Sequence, residues 1–431
     1  MALSKRSTFQ HGVHIPDMKY LSKDKSIEVM PSPERVYISL AQHIGKPAKA
    51  VVEVGDTVSR GQLIGAQDGF ISANIYSSVS GVVEAIKPIV NHMGQTQTYI
   101  VIKNDGLNTT VELEPIDEND GKAIAKRVGE AGLVGLGGAG FPTIVKITPP
   151  NPVDIVLING AECEPYLTCD HRIMLEQTDE FVQGARYMSR ALEGARIIIG
   201  IEENKPDAIE KLSKYDNITV VPLKKKYPQG SEKQLIYACT KHKVGCGKLP
   251  ATTGVCVLNV QTVKQTYDAV KLNKPLYERV MTVTGKGIKE PKNILVKNGT
   301  PYAEIISYCG GLTDDARKII AGGPMMGKVL PSVDGYTRKT DSGLLILAKG
   351  EANELSPTAC ISCGRCARAC PMHLMPMYID LFTSVGDYER ANYYGAMNCF
   401  ECGTCAYVCP AKRDLVGSVQ LCKQKLREMK K

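Results

Sequence analysis

Eight cysteines near the end of this chain repeat one spacing twice, and they are its residues best suited to chemistry. Each run reads C-x2-C-x2-C-x3-C-P, beginning at Cys360 and at Cys399. This spacing suits [4Fe–4S] clusters, because three thiolates of a short loop wrap one cluster and the Cys before Pro ligates the other. We therefore predict one cluster on Cys360, Cys363, Cys366 and Cys409, and a second on Cys399, Cys402, Cys405 and Cys370.

Two other uses of these cysteines are structural zinc and disulfide bonds. Zinc sites of the knuckle type use pairs of C-x2-C rather than a triplet followed by C-P. Disulfides fit poorly, because the odd number of remaining cysteines indicates a reducing cytoplasm. The duplicated pattern thus favours clusters, and it predicts a protein that moves electrons.

Length and composition indicate a folded protein of several domains. The 431 residues exceed one ordinary core, and 43% hydrophobic with 23% charged residues is typical of globular chains. Seven cysteines lie outside the two runs, and we expect them to be small, mostly buried residues, with Cys246 in Gly-Cys-Gly the one of most interest. They are Cys163, Cys169, Cys239, Cys246, Cys256, Cys309 and Cys422.

The charge pattern argues against nucleic acid as a partner. The net charge of +8 is neither concentrated nor interleaved with aromatics, and part of it flanks the cysteine runs, where anionic clusters would attract it. Residues 1–17 lack the apolar segment of a signal peptide, and no apolar run reaches 18 residues. We therefore expect any membrane association to depend on partners. The basic residues beside the cysteines are Arg365, Arg368, Lys412 and Arg413.

Residues 28–104 alternate short β-branched segments with glycine turns, which predicts a small all-β unit. The phrase Val-Gly-Asp-x-Val-x-x-Gly-Gln-x-Ile-Gly, followed by Ser-Gly-Val-Val, resembles a biotinyl/lipoyl-type barrel-sandwich domain. Such domains carry their cofactor on a lysine between these two phrases. No lysine lies between Gly61 and Ile86, so we expect a docking surface rather than a swinging arm.

A glycine-rich loop follows at 135–143, with the sequence Gly-Leu-Gly-Gly-Ala-Gly-Phe-Pro-Thr. As a string it matches G-x-G-x-x-G, but a dinucleotide fingerprint should follow a strand and open a helix. Here a helical pattern precedes it and Pro142 follows, so a Rossmann turn is disfavoured. The glycines still allow backbone to lie against a ligand, with free N–H groups to hold phosphate.

Strands and helices then alternate, which predicts a layered α/β domain with ligands at the ends of its strands. We expect the loops 135–140 and 159–164 to lie at such ends, and one helix to span 172–192. From about 278 the pattern changes to ββαβ, with its helix at 302–308, which resembles a β-grasp module of the soluble-ligand-binding (SLBB) type.

Four motifs in order carry a wider resemblance: the loop 135–143 with Lys146, then 159–165, 227–232 and 258–262. Together they are similar to the FMN- and NADH-binding flavoprotein subunit of respiratory complex I. The order of all modules resembles the C-subunit family of the Rnf ion-translocating ferredoxin:NAD+ oxidoreductase complexes. The implied domains are a barrel-sandwich unit at 1–118, an α/β FMN/NADH domain at 119–277, an SLBB β-grasp at 278–352 and a two-[4Fe–4S] ferredoxin-like domain at 353–431.

The resemblance implies a role for each matching residue. The loop glycines would contact FMN through their backbone, and Lys146 would supply positive charge. Asn159 and Asn259 would form hydrogen bonds to the flavin. Phe141 would offer a stacking surface for the nicotinamide–adenine ligand. Glu162 is our candidate for managing protons or charge beside the flavin. Complex I usually has Arg at 136, Asp at 161 and Glu at 231, where this chain has Leu, Ala and Ser. The implied cofactor-binding residues are Gly135, Gly137, Gly138, Gly140, Phe141, Lys146, Asn159, Glu162, Glu164, Tyr227, Gly230, Glu232 and Asn259.

Nicotinamide exchanges hydride, whereas clusters pass single electrons, so a flavin must stand between them. The resemblance implies a peripheral subunit on the cytoplasmic face of the bacterial cell membrane. Its partners would be NAD(H) and the other Rnf subunits, including an iron–sulfur subunit that accepts electrons from ferredoxin. Two alternatives stay open: a soluble cobalamin reductase of the microcompartment type, and a scaffold whose clusters only relay electrons.

Overall fold

The computed structural model describes residues 7–91, 94–352 and 356–429. Its N-terminal part is built from short strands that form two antiparallel sheets, in the orders β2-β8-β7-β4 and β3-β5-β6. The strands of these two sheets are β2 (Arg35–Ser39), β3 (Lys49–Ala50), β4 (Thr57–Val58), β5 (Leu63–Ala66), β6 (Ile75–Tyr76), β7 (Gly81–Val90) and β8 (Thr96–Asn104), and the preceding strand β1 (Ile27–Val29) belongs to neither.

These two sheets enclose a small core of branched aliphatic side chains. Ile38 of β2, Ile64 of β5, Ile75 of β6 and Ile100 of β8 are all fully buried. Alternation along the strands aims these residues inward and leaves polar residues outside. The predicted barrel-sandwich unit is confirmed.

A parallel sheet in the order β11-β10-β9-β12 forms the α/β layer. The last residues of β9 and β12 are neighbours, because Asn159 pairs with Asn259 in the register of the two strands. Parallel strands end at one edge, so both asparagines lie where ligands bind in such sheets. The elements are α1 (Gly121–Glu130), α2 (Thr143–Ile147), β9 (Ile155–Gly160), α3 (Cys169–Glu176), α4 (Thr178–Ala191), β10 (Arg196–Glu202), α5 (Pro206–Leu212), β11 (Ile218–Leu223), α6 (Glu232–Thr240), β12 (Val255–Asn259) and α7 (Val260–Lys271).

The single helix predicted over 172–192 is wrong, because α3 and α4 are separate helices. They meet at Gln177, whose φ of −123° and ψ of 42° lie outside the helical region and interrupt the hydrogen-bond ladder. The apolar periodicity runs through both helices, so the sequence pattern did not reveal the break.

The β-grasp module contains the predicted ββαβ order and extends it into a larger mixed sheet. That sheet has the order β1-β14-β13-β17-β15-β16, so it includes β1 from the N-terminal part of the chain. β1 runs parallel to β14, with Ile27 opposite Asn293. The module's own elements are β13 (Glu278–Thr284), β14 (Lys292–Lys297), α8 (Tyr302–Tyr308), β15 (Ala316–Ala321), β16 (Lys328–Leu330) and β17 (Gly343–Ala348).

The C-terminal module consists of short helices around the two cysteine runs. Ile379, Ala391, Val419 and Cys422 form its small apolar core. Among the described residues, no helix is long and apolar enough to cross a membrane. The helices are α9 (Arg365–Ala369), α10 (Pro376–Ser384), α11 (Tyr388–Tyr393), α12 (Thr404–Tyr407) and α13 (Leu415–Glu428).

Candidate functional site

The glycine loop connects α1 to α2, so it follows a helix rather than a strand. The sequence pattern predicts a helix before the loop, and the loop reaches the end of β12 in space, as we expect from the sequence. The N–H of Gly135 donates to the carbonyl of Phe141 (2.9 Å), and the N–H of Leu136 donates to Oγ1 of Thr262 (3.0 Å). These bonds close the base of the loop, and Gly137 and Gly138 project from it as exposed residues.

Gly137 lies against the end of β12. A Cβ atom at this position would lie 2.7 Å from Nδ2 of Asn259, so a side chain would displace the asparagine. Asn259 is held from two sides: its Oδ1 accepts the N–H of Gln261 (2.8 Å), and its Nδ2 donates to Oδ2 of Asp170 (2.7 Å). The close approach of loop and strand end therefore requires glycine at 137.

Gly138 and Gly140 show the two faces of the same loop. A Cβ atom on Gly138 would meet nothing within 4 Å, so this glycine borders open space. Gly140 has φ +73°, and its Cβ would lie 2.9 Å from Cγ2 of Thr340 and 3.2 Å from the carbonyl of Gln42. The barrel, the α/β layer and the β-grasp module thus meet behind the loop, and its front is free for a ligand.

Two of the four charged residues predicted for the site, Lys146 and Glu232, form an ion pair. Nζ of Lys146 lies 2.8 Å from Oε1 of Glu232 and also donates to the carbonyl of Val257 (3.2 Å). Both side chains are partly exposed. A ligand anion would therefore compete with Glu232 for the lysine.

Asn159 joins the second and third motifs. Its Nδ2 donates to the carbonyl of Gly230 (2.8 Å), and the N–H of Gly230 donates to Sγ of Cys163 (3.3 Å). Phe141 is half-buried at the end of the glycine loop. The structure therefore brings the predicted residues of all four motifs to one edge of the parallel sheet.

Glu162 is buried and held in a left-handed backbone conformation, with φ 45°. Its Oε1 accepts the N–H of Asp170 (2.7 Å), and its Oε2 lies 3.7 Å from Nζ of Lys19. Burial raises the pKa of Glu162 to about 7, an increase that Lys19 and Lys205 oppose. The carboxyl therefore changes its charge near neutral pH.

Sequence reasoning missed the charged groups that surround Glu162. Lys19 comes from the N-terminal segment, and Nζ of Lys205 donates to the carbonyl of Ala161 (2.7 Å). Arg279 of β13 is fully buried and donates through Nη1 to the carbonyls of Leu136 (3.3 Å) and Lys339 (2.6 Å). These cations compensate the buried acids beneath the loop. No local pattern identifies them, because each reaches the site from a distant segment.

Glu164 faces the β-grasp module. Its carboxylate accepts the N–H groups of Met325 (3.2 Å) and Met326 (2.9 Å), in the turn between β15 and β16. Burial raises the pKa of Glu164 to about 7, although these two N–H groups oppose the rise. The same turn reaches the C-terminal module, since a Cβ on Gly403 would lie 2.6 Å from the carbonyl of Met325.

Tyr227 connects the α/β layer to the second cysteine run. Its side chain is 2% exposed, and its hydroxyl donates to the carbonyl of Cys402 (2.8 Å). Nε2 of Gln234 similarly donates to the carbonyl of Pro371 (3.1 Å), at the end of the first run. Burial raises the pKa of the Tyr227 phenol, so the hydroxyl remains a donor. The edge of the parallel sheet and this cysteine loop are therefore in direct contact.

The structure gathers Cys370 with the second run. These four cysteines, called the inner set, line one small pocket together with Pro371 and Ile379: Cys370, Cys399, Cys402 and Cys405. Burial raises the pKa of Cys399 to about 11, and a cluster's iron would supply the positive charge that thiolates require there. The donor set therefore fits an iron–sulfur cluster, with Cys370 contributed by the opposite run.

The other four cysteines of the two runs, called the outer set, include one at the surface: they are the exposed Cys360, the half-buried Cys363 and Cys409, and the buried Cys366. Cys360 is exposed, and Nη2 of Arg368 donates to the carbonyl of Cys363 (3.2 Å). Asp380 raises the pKa of the Arg413 guanidinium most, and Cys360 and Cys409 add to the rise, so both cysteines lie near this cation. Two of the four predicted basic neighbours, Arg368 and Arg413, therefore lie beside the outer set.

Four domain families match the chain, in the order of the observed modules. They are the RnfC barrel sandwich hybrid domain at 7–107, the Nuo51 FMN-binding domain at 128–268, the SLBB domain at 280–329 and the 4Fe-4S dicluster domain at 359–412. The predicted order of the four modules is thereby confirmed.

Full-length relatives share more than 40% of their residues with this chain. The C subunit of the proton-translocating ferredoxin:NAD(+) oxidoreductase complex of Clostridium ljungdahlii is 45% identical, with 97% of this chain and 94% of the relative covered. The C subunit of the Na(+)-translocating ferredoxin:NAD(+) oxidoreductase complex of Acetobacterium woodii is 42% identical, with 98% of each covered. The C subunit of the ion-translocating oxidoreductase complex of Rhodobacter capsulatus is 41% identical, with 97% and 83% covered.

A solved structure shares the fold at low sequence identity. It is an NAD+-reducing [NiFe]-hydrogenase in the H2-reduced state, with a TM-score of 0.50 and 17% identity. The similarity covers 71% of this chain and 63% of the hydrogenase chain, and it concerns the fold alone.

Proposed function

The chain belongs to the C-subunit family of the Rnf ion-translocating ferredoxin:NAD+ oxidoreductase complexes, and from this premise we propose how its residues pass electrons between NAD(H), FMN and two [4Fe–4S] clusters. A bound FMN exchanges hydride with the nicotinamide and single electrons with the clusters. The observation that carries the proposal is the contact between Tyr227 and Cys402, which joins the candidate flavin site to an iron–sulfur loop.

The FMN site is the front of the glycine loop and the edge of the parallel sheet. Gly137 and Gly138 offer exposed backbone, while Asn159 and Asn259 stand side by side at the ends of β9 and β12. Backbone N–H groups of such a loop suit a phosphate, and Lys146 adds a partly exposed positive charge. Four other predicted residues fix the shape of the site and do not form its open surface: Gly135, Gly140, Gly230 and Tyr227.

NAD(H) would bind against the outer side of this site. Phe141 is half-buried beside the loop, where its ring offers a stacking surface for the nicotinamide–adenine ligand. Glu162 and Glu232 supply the nearby acids, and the buried Glu162 is suited to adjust charge when the flavin changes its redox state. Glu164 accepts hydrogen bonds from the β-grasp turn and so fixes the contact between the α/β layer and that turn.

We assign the inner set to the cluster nearer the flavin and the outer set to the terminal cluster. Tyr227, Gln234 and the Met325 turn all contact the loops of the inner set, whereas Cys360 of the outer set is exposed. Electrons would thus enter or leave the chain at the outer set. This geometry suits a peripheral subunit at the cytoplasmic face of the membrane, which exchanges electrons with an iron–sulfur partner of its complex.

The test is to purify the chain without oxygen, to measure bound iron, sulfide and flavin, and then to add NADH. We expect about eight iron atoms and about one flavin per chain, and NADH should bleach the absorbance of both groups. Full iron without flavin would overturn the proposal and favour a relay scaffold.

A glycine substitution tests the location of the flavin. Gly138→Val places a side chain where the protein leaves open space, so loss of FMN from a folded variant must reflect a clash with the ligand. Gly245→Val is the matched control, because its Cβ would meet only Cγ of Lys248 at 3.5 Å, an ordinary contact, in an exposed loop outside the four motifs. Normal flavin content in Gly138→Val would contradict the assigned site.

A further inference from the structure

The outer side of α10 carries apolar residues that remain partly or largely exposed in the described chain. Tyr378 is 37% exposed, Leu381 50% and Val385 69%, and their spacing of three and four places them on one side of the helix. The opposite side buries Ile379 and Thr383 against the module core. We call Tyr378, Leu381 and Val385 the α10 face. Apolar residues aligned in this way mark an interaction surface more often than scattered ones do.

Stacked aromatic rings support the α10 face. Phe382 is stacked on Tyr394, with ring centroids 5.6 Å apart and an interplanar angle of 7°. Tyr378 packs on the same Tyr394 at 4.8 Å, and the guanidinium of Arg390 lies 4.8 Å above the Phe382 ring. The face is therefore held in place before any partner arrives, which lowers the entropic cost of binding.

The α10 face adjoins the outer cysteine set. Sδ of Met377, the residue before Tyr378, lies 3.7 Å from Sγ of Cys366. Ile361, the residue after the exposed Cys360, is itself 67% exposed. A partner chain bound to the α10 face would thus lie beside the cluster of the outer set, where we propose that electrons enter or leave.

Basic side chains lie beside the face and beside the outer set, because Arg390 stands above the Phe382 ring and Arg368 donates to the carbonyl of Cys363. In the described residues 356–429 the exposed charged side chains are Arg365, Arg368, Arg390, Lys412 and Arg427 against Glu389, Asp414 and Glu428. An apolar centre with a positive rim suits a partner whose own apolar patch is ringed by acids. Permanent interfaces are more apolar than the encounters of diffusing electron carriers, so the α10 face favours a resident subunit.

We propose that the α10 face docks another subunit of the same complex, one that carries a one-electron redox centre and an acid-rimmed apolar patch. The proposal rests on the function proposed above, which makes the outer set the terminal cluster. It adds where the partner binds and which side chains it covers.

The experiment uses the intact complex purified from cells that make all of its subunits. Leu381→Glu places a charge in the centre of the α10 face, and we expect at least about a tenfold loss of one redox subunit from the complex. The variant chain should keep its full iron and its reduction of ferricyanide by NADH. Val90→Glu is the matched control: Val90 is 61% exposed in β7, far along the sequence from the cysteines, and this variant should leave the complex whole.

A second measurement tests the proposal even if the Leu381→Glu chain fails to fold. Amides 377–386 of the unmodified chain should exchange hydrogen about tenfold more slowly in the complex than in the isolated chain. Equal exchange, or an intact Leu381→Glu complex, would overturn the proposal. Removal of the partner by moderate salt would also overturn it, because such a partner is a diffusing carrier. Dimerisation of the isolated chain through this face would overturn it as well. Iron far below eight per chain in the unmodified protein would instead overturn the proposed function.

Discussion

The two cysteine runs have the same spacing but opposite surroundings. The loop of the second run is covered from three directions, by Tyr227, by the turn at Met325 and by the segment around Val13. The loop of the first run begins at an exposed Cys360, beside an exposed Ile361. The end of the first run is also in contact with other modules, because Ala369 accepts the N–H of Gly12 and Pro371 accepts from Gln234. Identical ligand patterns therefore make two different electron-transfer stations, because only the first run begins at an exposed cysteine.

The largest expected effect comes from removing one ligand from each set. Cys370→Ala should lose the inner cluster and about half of the roughly eight irons, and it should stop NADH from reducing the outer cluster. Cys409→Ala should lose a similar amount of iron yet still allow NADH to reduce the inner cluster. Iron analysis and electron paramagnetic resonance after NADH addition measure both results.

Cys422→Ala is the control for this pair, because Cys422 is buried in α13 outside both sets. It should keep all of its iron. If Cys370→Ala instead removed the cluster of Cys360, Cys363 and Cys366 and spared the other, the crossed assignment of the two sets would be contradicted.

Replacement of Glu164 should change how the stability of the folded protein depends on pH. Burial raises the pKa of Glu164 to about 7 from 4.5, so between these values the folded protein binds more protons than the unfolded chain. Stability should therefore fall by up to about 3 kcal/mol as pH rises through this window, and then level off. Glu164→Gln should reduce this slope and leave the part due to Glu162, whose pKa burial also raises to about 7, as measured by anaerobic thermal midpoints from pH 5.5 to 8. Glu389→Gln, at an exposed acid of α11, should keep it.

Tyr227→Phe should have a smaller effect, confined to the inner set. Loss of the hydroxyl leaves the carbonyl of Cys402 without this donor, which costs on the order of 1 kcal/mol. We expect the reduction potential of the inner cluster to shift while that of the outer cluster stays constant in a redox titration. Tyr393→Phe, at a side chain 83% exposed, should change neither potential. Equal shifts of both clusters would contradict the one-sided contact.

The smallest effect is expected at the outer set. Arg368→Ala removes an exposed guanidinium that donates to the carbonyl of Cys363, so stability should change by no more than about 0.5 kcal/mol. Loss of a nearby positive charge should lower the potential of the outer cluster, more at low salt than at high salt. An unchanged potential at low salt would show that water screens this charge completely.

Local patterns were enough to predict the modules and most of their elements. The eight cysteines with cluster spacing lie in the matched 4Fe-4S dicluster domain, α8 begins and ends where its pattern predicts, and the four modules occur in the predicted order. These features depend on residues close together in sequence, where spacing and turn chemistry act directly.

Features built from distant segments could not be predicted. The cations Lys19, Lys205 and Arg279 reach the buried acids from three separate parts of the chain, and each looks like an ordinary charged residue in sequence. The different environments of the two cysteine loops depend on Tyr227 in the same way. Tertiary contacts decide such features, and the spacing of residues along one chain does not reveal them.

The pairing of β1 with β14 has a consequence for synthesis of the chain. More than half of the chain is synthesised between Ile27 and its partner Asn293, which corresponds to roughly ten seconds or more of translation. The N-terminal strand must therefore wait, unpaired, until the β-grasp module exists. Completion of that sheet is then a late event that joins the first and third modules made, so early release of a shortened chain would leave β1 without its partner.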